Sequence, residues 1–276
     1  PSRLPIRARK RTKSSMKLSL RYISIVAGCA LLSGLTACNG ILGGIYDEPK
    51  DQTAVAPSTL YVDASSWTDW YYVDLDSLAT LQAAGDSVGL HHAQTHFTRF
   101  PIPTTGDSGD GRTGTYTYWF DVFGQGIAHN EKRDFTPTDR QKEPPSWTFA
   151  VHRNNVRTNG GAVLETNYND LSQLPASSVD FLGATFTEDE WTENVVWVDQ
   201  SQMLKELIGC QGIKANTVLS SWLRLEIPPM PPAFIHNKHV FILRLKNGLY
   251  AALQLENYIG ADGKKCNLTI RYKYPY

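Results

Sequence analysis

The C-terminal stretch constrains the fold of this chain more than any other part of it. HVFILRL at 239–245, YAALQLENY at 250–258 and CNLTIRYKY at 266–274 are rich in aliphatic, β-branched and aromatic residues, and in the last run Leu268, Ile270, Tyr272 and Tyr274 alternate with Thr269, Arg271 and Lys273. A period of two puts successive side chains on opposite faces, which is the geometry of a strand and not of a helix. Lys246-Asn247-Gly248 and Asp262-Gly263 separate the three runs. Asn-Gly and Asp-Gly readily take the positive φ angles of tight hairpin turns. The spacing therefore predicts an antiparallel meander at the C-terminus.

The same grammar recurs upstream. LYVDA at 60–64, WTDWYYVDL at 67–75, WTFAVHR at 147–153, GAVLET at 161–166, VVWV at 195–198 and SSWLRLEI at 220–227 are short β-rich runs bounded by turn residues. Together they predict an all-β fold, one antiparallel β-rich domain over 59–276 closed by the meander. Helix is expected at most at 80–84, 168–173 and 201–208, the last equally readable as strand. Ala84 to Pro145 breaks the pattern: Pro101, Pro103, TTGDSGDGRTG and the aromatic patch YTYWFDVFG describe an elaborated insertion with a single hairpin. A loop of that length is either functional or a surface decoration packed by its own aromatics. Glu188, Asp189 and Glu190 read as a solvated turn, because adjacent side chains on an extended chain alternate in direction.

The N-terminus reads as a targeting segment. Residues 1–15 carry six Lys or Arg and no acid, and are expected to be an upstream extension outside the fold. Met16 opens MKLSLRYISIVAGCALLSGLTAC, in which a basic start, a short apolar run and small residues before a cysteine make a signal peptide over 16–37. The apolar run is too short to span a bilayer, which takes about 20 residues. Leu35-Thr36-Ala37-Cys38 resembles the lipobox of bacterial lipoproteins. The resemblance implies cleavage before Cys38, acylation of that residue, and a flexible tether over 38–58 ahead of the domain.

Twenty-seven Lys and Arg balance twenty-seven Asp and Glu, and no basic stretch interleaved with aromatics follows the leader, which argues against nucleic acid as a partner. Catalytic signatures are missing: there is no GxSxG, HExxH or P-loop, and no GxGxxG between strand and helix. Of four cysteines, Cys29 leaves with the leader and Cys38 takes the lipid. Cys210 and Cys266 remain, either as a disulfide, which an export compartment permits, or as two separate buried thiols.

WTDWYYVDL, WTFAVHRNNVRTNGGAVLET at 147–166, SSWLRLEI, and the closing NGLYAALQLENY with GKKCNLTIRYKYP are similar to the HmuY family of Bacteroidetes haem-binding lipoproteins. The resemblance covers Thr59 to Tyr276 apart from the insertion, and AVHRNNVRTNGGAV is its most specific stretch. It implies an all-β haemophore, anchored by lipid on the outer membrane and exposed at the cell surface. Such a protein takes haem, with host haemoproteins as one source, and passes it to a TonB-dependent outer-membrane haem receptor. The founding member uses two histidine ligands. Here Ile227 occupies one matched position, and the other falls near Val195 to Val198, where there is no histidine.

Relatives that coordinate haem through methionine point instead to Met203 and Met230, the two methionines after the leader, each in a region the family uses for ligands. Thioethers are soft, uncharged ligands. His236 is the alternative ligand, flanked with His239 around Asn237-Lys238. His152 is expected to play a structural hydrogen-bonding role, and His91, His92 and His96 to sit on a surface loop. His129 has no nameable partner. Trp191 and Trp197 are candidates to pack on the porphyrin or to belong to the core. The competing functional reading is a surface adhesin or glycan-binding lipoprotein of the same fold without haem; a structural subunit of a surface assembly is a further one.

Overall fold

A computed structural model describes residues 56–103, 106–109, 115–120, 130–137, 139–199, 208–226 and 232–276, with the backbone alone for 106–137, 194–199 and 208–210. Cys38, His129, Met203 and Met230 lie outside the described residues, as do all of 1–55 and 201–207 of the stretch expected as helix or strand at 201–208.

Seventeen strands are present among these residues: β1 Thr59–Asp63, β2 Asp69–Val73, β3 Thr98–Pro101, β4 Gly106–Gly109, β5 Thr115–Phe120, β6 Asn130–Pro137, β7 Phe149–His152, β8 Asn155–Thr158, β9 Ala162–Glu165, β10 Thr187–Glu188, β11 Glu190–Asp199, β12 Ile208–Ala215, β13 Leu223–Glu226, β14 Ala233–His236, β15 Phe241–Arg244, β16 Tyr250–Ile259 and β17 Lys265–Lys273. Helices are few: α1 Leu75–Ala84, α2 Ser87–Thr95 and the single turn α3 Thr217–Ser220. The all-β antiparallel fold expected from the sequence is the fold observed. No helix of the described residues is long and apolar enough to cross a membrane.

Two sheets enclose the main core. One is six-stranded in the order β1-β17-β16-β15-β9-β10, the other four-stranded in the order β3-β2-β7-β8. Leu60, Val73, Phe149, Val156, Trp222, Phe241, Leu253, Leu268 and Ile270 meet in one cluster, each at most 1 % exposed. The predicted meander is β15-β16-β17, with Leu253 opposite Tyr272 and Leu255 opposite Ile270. Gly248 and Gly263 at its turns take φ of 84° and 79°. The alternation of β17 holds on the core side, and on its other face Thr269 is also buried, at 3 % exposed. Residues 166–186 fold back over the outer face of the sheet, where Leu171, Leu174, Phe181 and Phe186 pack on Val240, Ile242 and Ala252.

The helical expectations need correction. Helix α1 begins at Leu75, not at 80, because Asp74, the residue after β2, caps the helix, accepting from the Asp76 and Ser77 amides. Its Leu75 and Leu78 enter the main core. Helix α2, within the supposed irregular insertion, is capped by Asp86 and buries Gln94. The 168–173 stretch is only a 3-10 turn at Leu171–Gln173. The insertion is not a surface decoration with one hairpin either: β4, β5 and β6 join β11 and β12 in a five-stranded sheet ordered β11-β12-β5-β6-β4.

Cys266 is a free, buried thiol. It lies on β17, while Cys210 lies on β12 in a different sheet, opposite Trp197 and Tyr118, so the disulfide weighed from sequence is absent from this structure.

Candidate functional site: two hairpins rooted on one strand

Between Asp189 and Asn237 the chain makes two hairpins in succession. In the first, β11 pairs with β12, from Glu190 opposite Ala215 at the root to Asp199 opposite Gly209 near the turn. In the second, β13 pairs with β14, from Leu223 opposite His236 at the root to Glu226 opposite Ala233. Met203 belongs to the stretch joining β11 to β12, and Met230 to the stretch joining β13 to β14.

Both hairpins are fastened to β8. Val156 accepts a hydrogen bond from the Asn216 amide at 2.7 Å, just after β12. The Val156 amide donates to Ser220 Oγ at 2.9 Å, just before β13. Asn216 also caps α3, the link between the hairpins, by accepting from the Leu219 amide at 2.9 Å. The root of the second hairpin closes where the Asn237 amide donates to the Trp222 carbonyl at 2.9 Å.

Asp189 holds the root of β11 to the same strand. Its carboxylate accepts from the Thr158 amide at 2.7 Å, lies 2.9 Å from the Thr158 hydroxyl, and accepts from Asn216 Nδ2 at 3.2 Å. Burial pushes its pKa above the ordinary value, against the pull of those bonds. The sequence reading of a solvated turn was wrong for this residue. Neighbouring Glu188 and Glu190 do face outward, and nothing local marks the middle carboxylate as the one that turns in.

The turn between β7 and β8 carries the AVHRNNVR motif. His152 is 1 % exposed, and its Nδ1 pairs with the Asp69 carbonyl at 3.0 Å. Burial lowers its pKa to about 4, so it is a neutral, structural histidine. Arg153 sits at positive φ, 53°. Its guanidinium donates to the Ser65 carbonyl at 3.0 Å and lies 3.4 Å above the ring of Trp67. Sequence reasoning passed over this stacked pair, because residues 67 and 153 are adjacent only in the fold.

His236 is at the root of its hairpin, three residues and so about 10 Å along the strand from Ala233, the first residue of β14. Its Nε2 donates to the Leu255 carbonyl at 2.9 Å, and its ring stands edge-on to Tyr258. His239 pairs instead with Glu165 at 2.8 Å. His91, His92 and His96 are exposed, but on α2 and its C-cap and not on a loop, with the rings of His92 and His96 stacked at 4.3 Å. Trp191 is 64 % exposed at the root of β11 and belongs to no core cluster; Trp197, further along β11, pairs in register with Cys210. Among the described residues no group of three or more His, Cys, Asp or Glu could hold a metal ion.

The arrangement defines a class: an antiparallel β-sandwich that projects two hairpins from one edge strand, with a soft, uncharged thioether in the connecting stretch of each. The chain belongs to the HmuY family, whose HmuY protein model matches residues 66–272. It is similar to the crystal structure of a protein from Bacteroides vulgatus named HmuY-like and haem binding, with 28% identity, a TM-score of 0.53, and coverage of 81% of this chain and 97% of that one. A protein from Bacteroides fragilis named as a lipoprotein is 27% identical with a TM-score of 0.50, over 83% of this chain and 96% of that one. Apo PinO from Porphyromonas gingivitis shares the fold at 20% identity and a TM-score of 0.55, over 80% of this chain and 97% of that one. No curated protein matches the sequence.

Proposed function

We propose that this protein is a haemophore: a lipoprotein anchored through Cys38 to the outer membrane, exposed at the cell surface, that captures haem between its two hairpins and passes it to a TonB-dependent receptor for iron uptake. The observation that carries the reading is the coincidence of two facts. The chain belongs to the HmuY family over 66–272, and its two methionines after the leader fall one in each hairpin connection. The relative from Bacteroides vulgatus, named as haem binding, supports the choice of ligand.

Haem is the cargo, and the chemistry asked of the protein is coordination and apolar packing with no covalent step. Met203 and Met230 each offer a thioether sulfur to the iron. A thioether carries no charge and is a soft donor, so it suits Fe(II) over Fe(III) and raises the reduction potential. His236 is the poorer candidate because ligation through Nε2 would sacrifice its bond to the Leu255 carbonyl. Acyl chains on Cys38 contribute about 0.8 kcal/mol per buried CH₂, and several on one residue hold a protein on a membrane durably. Host haemoproteins are one source of the cargo.

The test is a haem titration of the full chain in detergent, in air and under dithionite. The reading expects a Soret shift and sharp visible bands that strengthen on reduction, lost in Met203→Leu plus Met230→Leu. An unchanged spectrum in the double variant overturns the methionine ligands; no shift in either redox state overturns haem binding itself. Cys38→Ser should move the protein from the membrane fraction to the soluble one.

A further inference from the structure

A cleft of about 330 Å³ opens beside the root of the first hairpin, between β12, β8 and the segments around Ile102 and Gln141. Among the described residues none of the second hairpin lines it. Its nearest β12 residue, Gln211, is four residues from the β11–β12 connection, about 13 Å along the strand. Its described lining lies at the root of the first hairpin, and its volume is at the small end of the ~300–1,000 Å³ range of small-molecule sites.

Its walls are of three kinds. The floor is apolar, made by Ile102 and Ile213 over Trp70. One side is the indole of Trp191, left 64 % exposed although it is among the largest side chains of the domain. Lys214 stands directly opposite it in the strand register. An exposed tryptophan at the lip of a cleft, with no core to serve, offers a flat face to a ligand ring.

The third wall is charged. Arg140 and Lys214 line the cleft, with no ion pair of either among the described residues. Arg157 lines it too; its guanidinium lies 5.0 Å from the ring centre of Trp147 and is paired with Glu143. Arg157 Nε is buried without a hydrogen-bond partner. Arg157 is answered from outside the cleft by Glu143 and Asp189; among the remaining lining side chains Arg140 and Lys214 are the cations and Asp139 the acid, so one positive charge is left over on the lining. Gln141 gives its amino group to the carbonyls of Pro101 and Lys142, which leaves its side-chain oxygen as an acceptor beside Asp139.

A purely apolar ligand has no use for the cations. A small inorganic anion has no use for the indole or for Asp139. A neutral sugar would leave the excess charge unanswered. What matches all three walls is a ring with one C–H face for Trp191, hydroxyl donors for Asp139 and Gln141, and a single carboxylate for Lys214 and Arg140. We infer that this cleft is a second binding site, for an acidic sugar of the uronic or sialic acid class. The site operates independently of haem.

The experiment is calorimetric titration of the full chain in detergent with D-glucuronic acid, N-acetylneuraminic acid and D-glucose. At least one of the acids binds, and binds at least about tenfold more tightly than glucose, a difference of about 1.4 kcal/mol. Trp191→Ala and Lys214→Glu each weaken that binding by about tenfold or more. Both side chains are exposed, so thermal unfolding stays unchanged in these variants, and the haem titration stays unchanged in Lys214→Glu. Absence of binding by both acids, parity of acid and glucose, or undiminished binding in both variants overturns the assignment. Loss of haem binding in the double methionine variant, with sugar binding retained, keeps the two sites distinguishable.

Discussion

Asp189→Ala probes the joint on which the first hairpin depends. The substitution strands the Thr158 amide, which belongs to a residue 4 % exposed and donates to Asp189 at 2.7 Å. The other two partners have alternatives: the Thr158 hydroxyl lies 3.0 Å from the Gly161 carbonyl, and Asn216 Nδ2 donates to the Thr187 carbonyl at 2.9 Å. One unsatisfied buried amide costs about 1–3 kcal/mol. Relief of the buried charge offsets part of that, so the net loss is about 2 kcal/mol. For a domain of this size each kcal/mol lowers Tm by about 2–4 °C, which makes the expected fall about 4–8 °C.

Asp189→Asn keeps an oxygen for the Thr158 amide and should lose less than about 1 kcal/mol. The two variants also separate by pH. Because the folded pKa of Asp189 is raised, its contribution to stability is fully present below the ordinary carboxylate pKa and is lost as pH rises through the folded value. Wild type should therefore lose stability relative to Asp189→Asn as pH rises through the acid range above about 4. Denaturant unfolding from pH 3 to 7 measures this, and hydrogen exchange at Trp191 and Thr192 should quicken in Asp189→Ala as the root of β11 loosens. An alanine variant within about 0.5 kcal/mol of wild type, or one indistinguishable from the asparagine variant, refutes the role assigned to this carboxylate.

Two further outcomes follow from buried groups. His152 is held neutral, with a pKa of about 4 against an ordinary 6.5. Its contribution is present above pH 6.5 and lost as pH falls toward 4, on the order of 3 kcal/mol, measurable as a drop in denaturant midpoint between pH 7 and pH 4 that His152→Gln abolishes. Gly161→Ala places a Cβ 2.7 Å from the Arg244 carbonyl and 3.0 Å from Leu243 Cδ1, so the β9–β15 pairing must give way. A loss of about 1–3 kcal/mol in thermal unfolding is expected, and an unchanged Tm would contradict the close approach.

The strands that the sequence made legible are those with strong local signals. β1, β9, β16 and β17 fall within one residue of their β-rich runs, because alternation and positive-φ turns are properties of a few adjacent residues. β8, β12 and β14 escaped notice. Asn155–Thr158 is polar in composition and is a strand because Phe149 to His152 pairs with it; Ile208–Ala215 contains two glycines and a lysine and is held between β11 and β5. The same reason explains the insertion. Its residues 106–137 read as irregular until β5 finds β12, a partner about ninety residues away. At the site, the sequence singled out Met203, Met230 and His236 by position and chemistry, and could not see that His236 is bonded to the Leu255 carbonyl.

Sequence by itself determined the all-β class, the closing meander, the lipobox pattern at Cys38 and the family signature AVHRNNVRTNGGAV. Each is written in neighbouring residues, where a period of two or a turn dipeptide acts over a few ångströms. Only the tertiary structure decided that both hairpins are fastened to β8, that Asp189 turns inward between two exposed glutamates, that Cys266 stays a free thiol apart from Cys210, and that Trp191, Lys214 and Arg140 share one cleft. These depend on which distant strands pair and which groups lose water together, and no local pattern encodes that.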